Sequence, residues 1–335
     1  MKPIPFVRAS VILRFIKFLN QIGAPTERLL KQAHLPICLF DNSEAIAPLI
    51  QCLAFAELVA RTEGIENLGM IVGQQTQASH IGNFGAVVCQ ALTLHDLLSK
   101  IFKLHSTLIS GEKIWLTEDR NHFRLHHQYT IPHHIQAYQG HCFSVFVYLN
   151  TIGLAAGSNW QPDQLYLQSS KNKSFLDLNS LSNTQIHFNQ PHNAICFSKD
   201  LLSKPLNHYQ GLSLPGNTEE MLKLTAPGDD FTDSLRQLIL LLLPESYPHI
   251  AIAAEAAGIS IRTFQRRLQD KNLNYSQLVE QVRFDQAVNL LKDSNNQLID
   301  IAFDLGYNDA ANFTRAFKRW TGISPRKFRD LHLQQ

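Results

Sequence analysis

The sequence predicts two parts of different class: an α+β N-terminal region and an all-α C-terminal region holding two helix-turn-helix units. Three observations predict them. The hydrophobic period is helical as far as Leu108 and turns to alternation from Lys113. Residues 212–230 then gather Pro215, Gly216, Asn217, Pro227, Gly228 and the pair Asp229-Asp230, a boundary composition. Beyond that boundary, one pattern of two short helices about a glycine occurs twice. The expected division is 1–211, a linker at 212–230, and 231–335.

Helices are expected over residues 11–19, 26–33 and 48–63, the third with Leu49, Leu53, Ala56 and Ala60 on one face. Gly64 and the Gly69–Gly73 segment are expected to break the pattern, and residues 80–85 to form a loop. A short helix or strand is expected over 86–92. Thr93 caps a helix over 94–108 with Leu97, Leu98, Ile101 and Leu104 inward. Ile114 and Leu116, then Phe123, Leu125, His127 and Tyr129, alternate about the turn residues 118–121, which predicts an antiparallel hairpin. Residues 141–156 form a buried helix, and 164–168, 185–188 and 194–197 are further strands.

Composition limits the functional classes. A hydrophobic fraction of 44% over 335 residues supports two packed cores, and a net charge of +2 confines any basic footprint to local patches. The five cysteines, Cys38, Cys52, Cys89, Cys142 and Cys196, include no C-x-x-C pair and read as reduced, mostly buried thiols. The start of the chain lacks a signal-peptide apolar region and the aliphatic runs are too short for a membrane span, so a cytoplasmic location without membrane contact is expected. Histidines are frequent (His122, His126, His127, His133, His134, His141), yet no metal-ligand spacing of the H-E-x-x-H kind occurs. They read as exposed or satisfied side chains, with no metal and no cofactor expected. G-x-S-x-G, P-loop and G-x-G-x-x-G patterns are also missing, so an enzyme is not expected.

In the C-terminal region a helix over 231–243 is stopped by Pro244. Residues 250–257 form a bracing helix, Gly258 the turn, and Ser260 the N-cap of a helix over 261–271. Ile261, Phe264 and Leu268 form its expected buried stripe, while Arg262, Gln265, Arg266 and Gln269 share the outer face. A single helix over 275–291 connects to the second unit. There Ile299, Ala302 and Leu305, with Ile301 alongside, face inward. Gly306 makes the turn, and Asn308 or Asp309 caps a helix in which Phe313, Ala316, Phe317 and Trp320 are inward. Ala254, Gly258, Phe264 and Leu268 correspond to Ala302, Gly306, Phe313 and Phe317. Ser324 and Pro325 then start a short basic helix.

The stretch IAFDLGYNDAANFTRAFKRWTGISPRKFR closely resembles the signature of the AraC/XylS family of transcriptional regulators. In the first half, HIGNFGAVVCQALTLHDLLSKI, NWQPDQLYLQ and TQIHFNQPHNAICFSKDLLSKPL resemble the arabinose-binding-like N-terminal domain of the subgroup that includes ornithine and methylmalonate-semialdehyde regulators. The helical opening argues against the all-strand sugar-binding cupin of the arabinose regulator itself. The resemblance implies a bipartite DNA-binding domain, with an N-terminal domain that senses a small-molecule effector or mediates dimerisation. Two recognition helices on one rigid connector would read major-groove segments roughly 34 Å apart.

Roles follow from side-chain chemistry. Arginine bonds guanine bidentately, and asparagine or glutamine does so to adenine. Arg262, Gln265 and Arg266 in the first unit, and Asn312, Arg315 and Thr314 in the second, are therefore the expected base contacts. Ala310 and Ala311 are shorter than the polar residues some relatives carry there and could touch a thymine methyl. Lys318, Arg319, Arg326 and Lys327 are the expected phosphate contacts. Thirteen Lys/Arg against eleven Asp/Glu over 233–335 leave only +2, so clustering rather than total charge carries the footprint. The alternative for Arg266 and Arg315 is a surface ion pair worth about 0–1 kcal/mol.

Expected partners are double-stranded promoter DNA, RNA polymerase, an unidentified small-molecule effector, and a second copy of the chain, since paired operators favour two-fold symmetry. The resemblance implies an activator. An effector-independent or a metal-responsive regulator stays open, as does an enzyme domain fused to a DNA-binding module, although no cysteine sits in the reactive-thiol motif of such enzymes.

Overall fold

The computed structural model describes residues 2–37, 41–157, 159–206, 216–293 and 295–332. The chain forms two compact units, one from Pro5 to Pro227 and one from Gly228 onward that also takes in Ile4. The first is α+β and the second all-α, as the hydrophobic periods require.

In the first unit, β1 (Phe6–Arg8) leads into α1 (Ala9–Gln21), α2 (Thr26–Gln32) follows, and β2 (Ile46–Pro48) pairs antiparallel with β1 before α3 (Leu49–Thr62). Next come α4 (Leu68–Gln74), α5 (Gly82–Val88) and α6 (Leu94–Leu108), the last capped by Thr93, whose side chain accepts from Asp96 N. The hairpin β3 (Glu112–Asp119) and β4 (His122–Tyr129) is in register from Glu112 opposite Tyr129 to Asp119 opposite His122. Helix α7 (Tyr138–Ala156) is followed by β5 (Gln164–Tyr166), α8 (Lys173–Leu176), β6 (Gln185–His187), β7 (Asn193–Ser198) and α9 (Thr218–Leu224). The larger sheet has the order β3-β4-β7-β5-β6, antiparallel except between β5 and β6. Apolar on nearly every side, α7 is buried along most of its length, with Phe143, Val145, Phe146 and Ile152 in the core.

Three expectations for this unit are corrected. The Gly69–Gly73 segment is helical rather than broken. A Cβ on Gly69 would overlap the Gln139 carbonyl oxygen, and one on Gly73 would lie 2.9 Å from that of Phe143, so both glycines serve close packing of α4 on α7. Gln139 adds two bonds across that contact, accepting from Gly69 N and donating to Glu66 O, each at 2.8 Å. Residues 80–85 are not a loop: a 3-10 turn ends at His80 and α5 begins at Gly82. The cap is non-local, because Glu44 Oε1 accepts from Asn83 N at 2.8 Å.

The third correction concerns residues 212–230, of which 212–215 lie outside the described residues. The remainder contains α9 and belongs to the first unit as far as Pro227. Leu222 is buried, and the fully buried Arg8 reaches the helix. Its Nη2 donates to Leu222 O at 2.8 Å, its Nε to Thr107 O at 2.7 Å and its Nη1 to Glu44 O at 2.8 Å. Desolvation lowers the Arg8 pKa and the nearby Glu44 carboxylate opposes that. One guanidinium thus ties β1, α6 and α9 together.

Cys38 lies outside the described residues. Cys52, Cys89, Cys142 and Cys196 are free, and burial pushes the thiols of Cys52 and Cys142 up to about 12. Such thiols stay protonated and unreactive. No described helix is long and apolar enough to cross a membrane.

Of the histidines expected to be exposed or satisfied, His122 and His141 are half-buried and the other four divide into two pairs. His133 and His134 are exposed. His126 and His127 are buried, and His127 Nδ1 lies 3.0 Å from the Glu112 carboxylate, which His105 Nε2 approaches to 3.2 Å. Among the described residues, no group of three or more His, Cys, Asp and Glu side chains is arranged to hold a metal.

Candidate nucleic-acid interface

The second unit is built from α10 (Phe231–Leu242), α11 (Ile250–Ala256), α12 (Ile261–Asp270), α13 (Tyr275–Leu291), α14 (Leu298–Asp304), α15 (Ala310–Thr321) and α16 (Pro325–His332). Asp230 caps α10 through Asp233 N, and Ser260 caps α12 through Thr263 N. Asp309, rather than Asn308, caps α15, accepting from Asn312 N at 2.6 Å. Gly258 and Gly306 close α11 and α14 at φ +65° and +71°, the left-handed conformation that glycine adopts without a steric penalty.

Aromatic side chains fix both units. Phe264 is fully buried and meets Phe231 edge-on at 5.5 Å between ring centroids. Tyr275 packs on Phe264 and donates to Pro248 O at 2.7 Å. In the second unit Phe313 and Phe317 are fully buried, and Phe317 touches Phe284, Trp320 and Phe328. Phe231, Phe264, Phe313 and Phe317 are core, and Phe284, Trp320 and Phe328 are half-buried around Phe317. Two members of the expected stripes are not core: Ile261 is 44% and Ile299 47% exposed. Both stand in the first turn of short helices, and burial starts one turn later, at Phe264, or two residues later, at Ile301.

Helix α13 holds the units together through a buried cation that the sequence reading did not single out. Arg283 Nη2 donates to Gly306 O at 2.9 Å, and the guanidinium lies 4.4 Å from the Tyr307 ring centroid and 5.2 Å from that of Tyr247. An arginine between Val282 and Phe284 on a packing helix was the available signal.

Arg262, Gln265 and Arg266 are all exposed along α12, and among the described residues none has a side-chain ion pair or hydrogen bond. This face is open to an incoming partner. On α15 the residues are already linked. Arg315 Nη2 donates to Asn312 Oδ1 at 2.5 Å, and Asn312 Nδ2 donates to Asp309 Oδ2 at 2.6 Å. Asp309 therefore caps the helix and orients the asparagine–arginine pair. Thr314 Oγ1 donates back to Ala310 O at 2.8 Å, which occupies its proton within the helix.

Lys318, Arg326 and Lys327 are exposed. Arg319 instead turns to α13, pairing with Glu280 Oε1 at 2.7 Å. With side chains 64% and 51% exposed, that pair contributes at most about 1 kcal/mol. Arg329, outside the expected set, donates to Asn296 O at 2.7 Å.

Residues 253–330 match the model of a helix-turn-helix domain, and residues 23–206 match the arabinose-binding domain of AraC transcription regulator, N-term. The HTH-type transcriptional regulator VqsM of Pseudomonas aeruginosa is 37% identical over 32% of this chain and 36% of its own. The ornithine utilization regulator of the same organism is 30% identical over 43% of each chain. The chain thus spans less than half the length of these two relatives. The uncharacterized HTH-type transcriptional regulator Rv1395 of Mycobacterium tuberculosis is 22% identical over 92% of each. The crystal structure of the transcriptional regulator CdpR from Pseudomonas aeruginosa is similar over 91% of this chain and 96% of that one, at 20% identity and a TM-score of 0.39. The N-terminal match alone covers more than half of the sequence, and with the helix-turn-helix match behind it the chain belongs to the AraC family of transcription regulators.

Proposed function

We propose that this chain is a cytoplasmic, sequence-specific DNA-binding regulator, most simply an activator, whose DNA affinity or polymerase contact responds to a small molecule held by its N-terminal unit. The observation that carries the DNA-binding reading is the outer face of α12. It presents Arg262, Gln265 and Arg266 in the open, on a helix whose opposite face is locked by Phe264 and Leu268. Arginine and glutamine at that spacing suit guanine and adenine edges in the major groove. On α15, Asn312 and Arg315 are the second reading pair, prearranged by Asp309.

Lys318, Arg326 and Lys327 are proposed to hold phosphates. Arg319 joins them only by leaving Glu280, a small penalty for so exposed a pair. Domain limits near residue 227, homodimerisation through the N-terminal unit, and contact with RNA polymerase belong to the same proposal. Selection from random duplex DNA tests it: a site of two parts about one helical turn apart supports the reading. Failure to enrich any sequence, with and without cell extract, would sink it.

A further inference from the structure

Within the first unit lies a cavity of about 80 Å³ between α1, α3, α5, α6 and α7. On the scale of roughly 10–15 Å³ per water, it has room for about five to eight heavy atoms. Most of its wall is aliphatic or phenyl, from residues such as Val11, Phe15, Leu53, Phe84 and Phe143. One end is polar and consists of Glu112, His105, Tyr129, Tyr148 and Ser144. Among the described residues, no lysine or arginine lines the cavity.

The polar end is built around a buried carboxylate. Glu112 has a side chain only 4% exposed, between His105 Nε2 at 3.2 Å and His127 Nδ1 at 3.0 Å. Burial, the largest single influence, would raise its pKa, but the charge of His127 and the hydrogen bonds and charge that His105 and His127 add together outweigh it and hold the carboxyl far below its usual range. Tyr148 donates to Glu112 Oε2 at 3.4 Å, and Tyr129 shares a 3.1 Å bond with Ser144. Burial first, and Glu112 next, push both phenols up, so both remain protonated. An ionised carboxylate accepts only and has about four lone-pair positions, so Glu112 retains room for one more donor.

We propose that this cavity binds a small, uncharged, mainly aliphatic molecule carrying a hydroxyl group, the chain lying against the apolar wall and the hydroxyl donating to Glu112. A ligand carboxylate or phosphate would face the Glu112 charge at a buried site with no lysine or arginine among its described lining residues to balance it. A ligand ammonium would be redundant, because two imidazoles already flank the carboxylate. A sugar would bring several hydroxyls to a wall that offers them no partners. The inference deepens, and rests on, the reading of the first unit as a small-molecule sensor.

The test uses the full chain with four probes: 1-pentanol, pentanoate, pentylamine and L-arabinose. Binding is read by calorimetry and by the shift in melting temperature. Wild type should bind 1-pentanol and none of the others. E112Q should weaken binding at least fivefold. Should E112Q fail to fold, Ala56→Leu fills the cavity from α3 and should abolish binding while leaving the unliganded melting temperature unchanged or higher. Pentanoate or pentylamine binding as tightly as the alcohol, and lost in Ala56→Leu, overturns the ligand class but leaves the sensor reading standing. Binding that survives Ala56→Leu, or no binding by any probe, overturns the cavity as the site. The sensor reading falls with it only if a small-molecule cell extract also leaves the stability of the full chain unchanged.

Discussion

Arg283 on the connecting helix donates to the carbonyl of Gly306 at 2.9 Å, at the turn of the second helix-turn-helix unit. That carbonyl belongs to a glycine at φ +71°, and a Cβ there would lie 2.6 Å from Leu243 O. The turn, the connector and the loop after α10 therefore meet at one buried point. Its guanidinium, stacked on Tyr307, makes α13 a rigid spacer rather than a tether.

Arg283→Ala removes a charge-assisted bond and a cation–π contact, and should destabilise the second unit by about 2–4 kcal/mol. Denaturant unfolding followed through Trp320 fluorescence, with Trp115 and Trp160 replaced, measures this. A loss below about 0.5 kcal/mol would show that the contact is not structural.

Arg8→Met should loosen α9. The change leaves the carbonyls of Thr107, Glu44 and Leu222 without their donor and should cost about 3–5 kcal/mol, as when one partner of a buried charged pair is removed. Trypsin cleavage after Lys223 should accelerate well before the rest of the unit is cut. Uniform resistance at Lys223 would mean that α9 is held by its apolar face alone.

Burial, helped by the charge of His127 and opposed by Glu112, lowers the pKa of His141 to about 3. Burial likewise lowers His126 to about 4. Unfolded histidines titrate near roughly 6.5, so below that pH the unfolded chain binds more protons than the folded one. The stabilisation is complete above about pH 6.5 and is lost as pH falls toward the folded values. Wild type should thus melt progressively lower from pH 6.5 to 4.5. His141→Asn should flatten that slope by up to about 1.4 kcal/mol per pH unit. An unchanged slope in the variant would assign the pH dependence elsewhere.

The features legible in the sequence are local ones. Thr93, Ser260 and Asp309 each accept from the backbone three residues on, so a cap and the helix it starts are visible in one short window. The periods of α6 and the β3–β4 hairpin are equally local. Gly69 and Gly73 misled because their purpose lies on α7, well over sixty residues away, and Gly82 because Glu44 supplies its helix with a cap. Arg8 and Arg283 escaped notice for the same reason, since the partners of each come from distant parts of the chain, while Glu112 meets His105 and His127 only once α6 and the hairpin pack together. The polar face of α12 was legible from spacing alone. The Asp309–Asn312–Arg315 linkage needed rotamers that no sequence shows, and so did the turn of Arg319 toward Glu280.

The central claim is that α12 and α15 read two separate DNA segments through Arg266 and Arg315. The measurement is the affinity of wild type, Arg266→Ala and Arg315→Ala for the selected site and for each of its half-site mutants, at several fixed salt concentrations. The account predicts that each variant loses discrimination at one half-site only, by about 1–3 kcal/mol, and keeps it at the other. Uniform loss across all sequences, with a shallower salt dependence, would mean that both arginines hold phosphates, contradicting the claim.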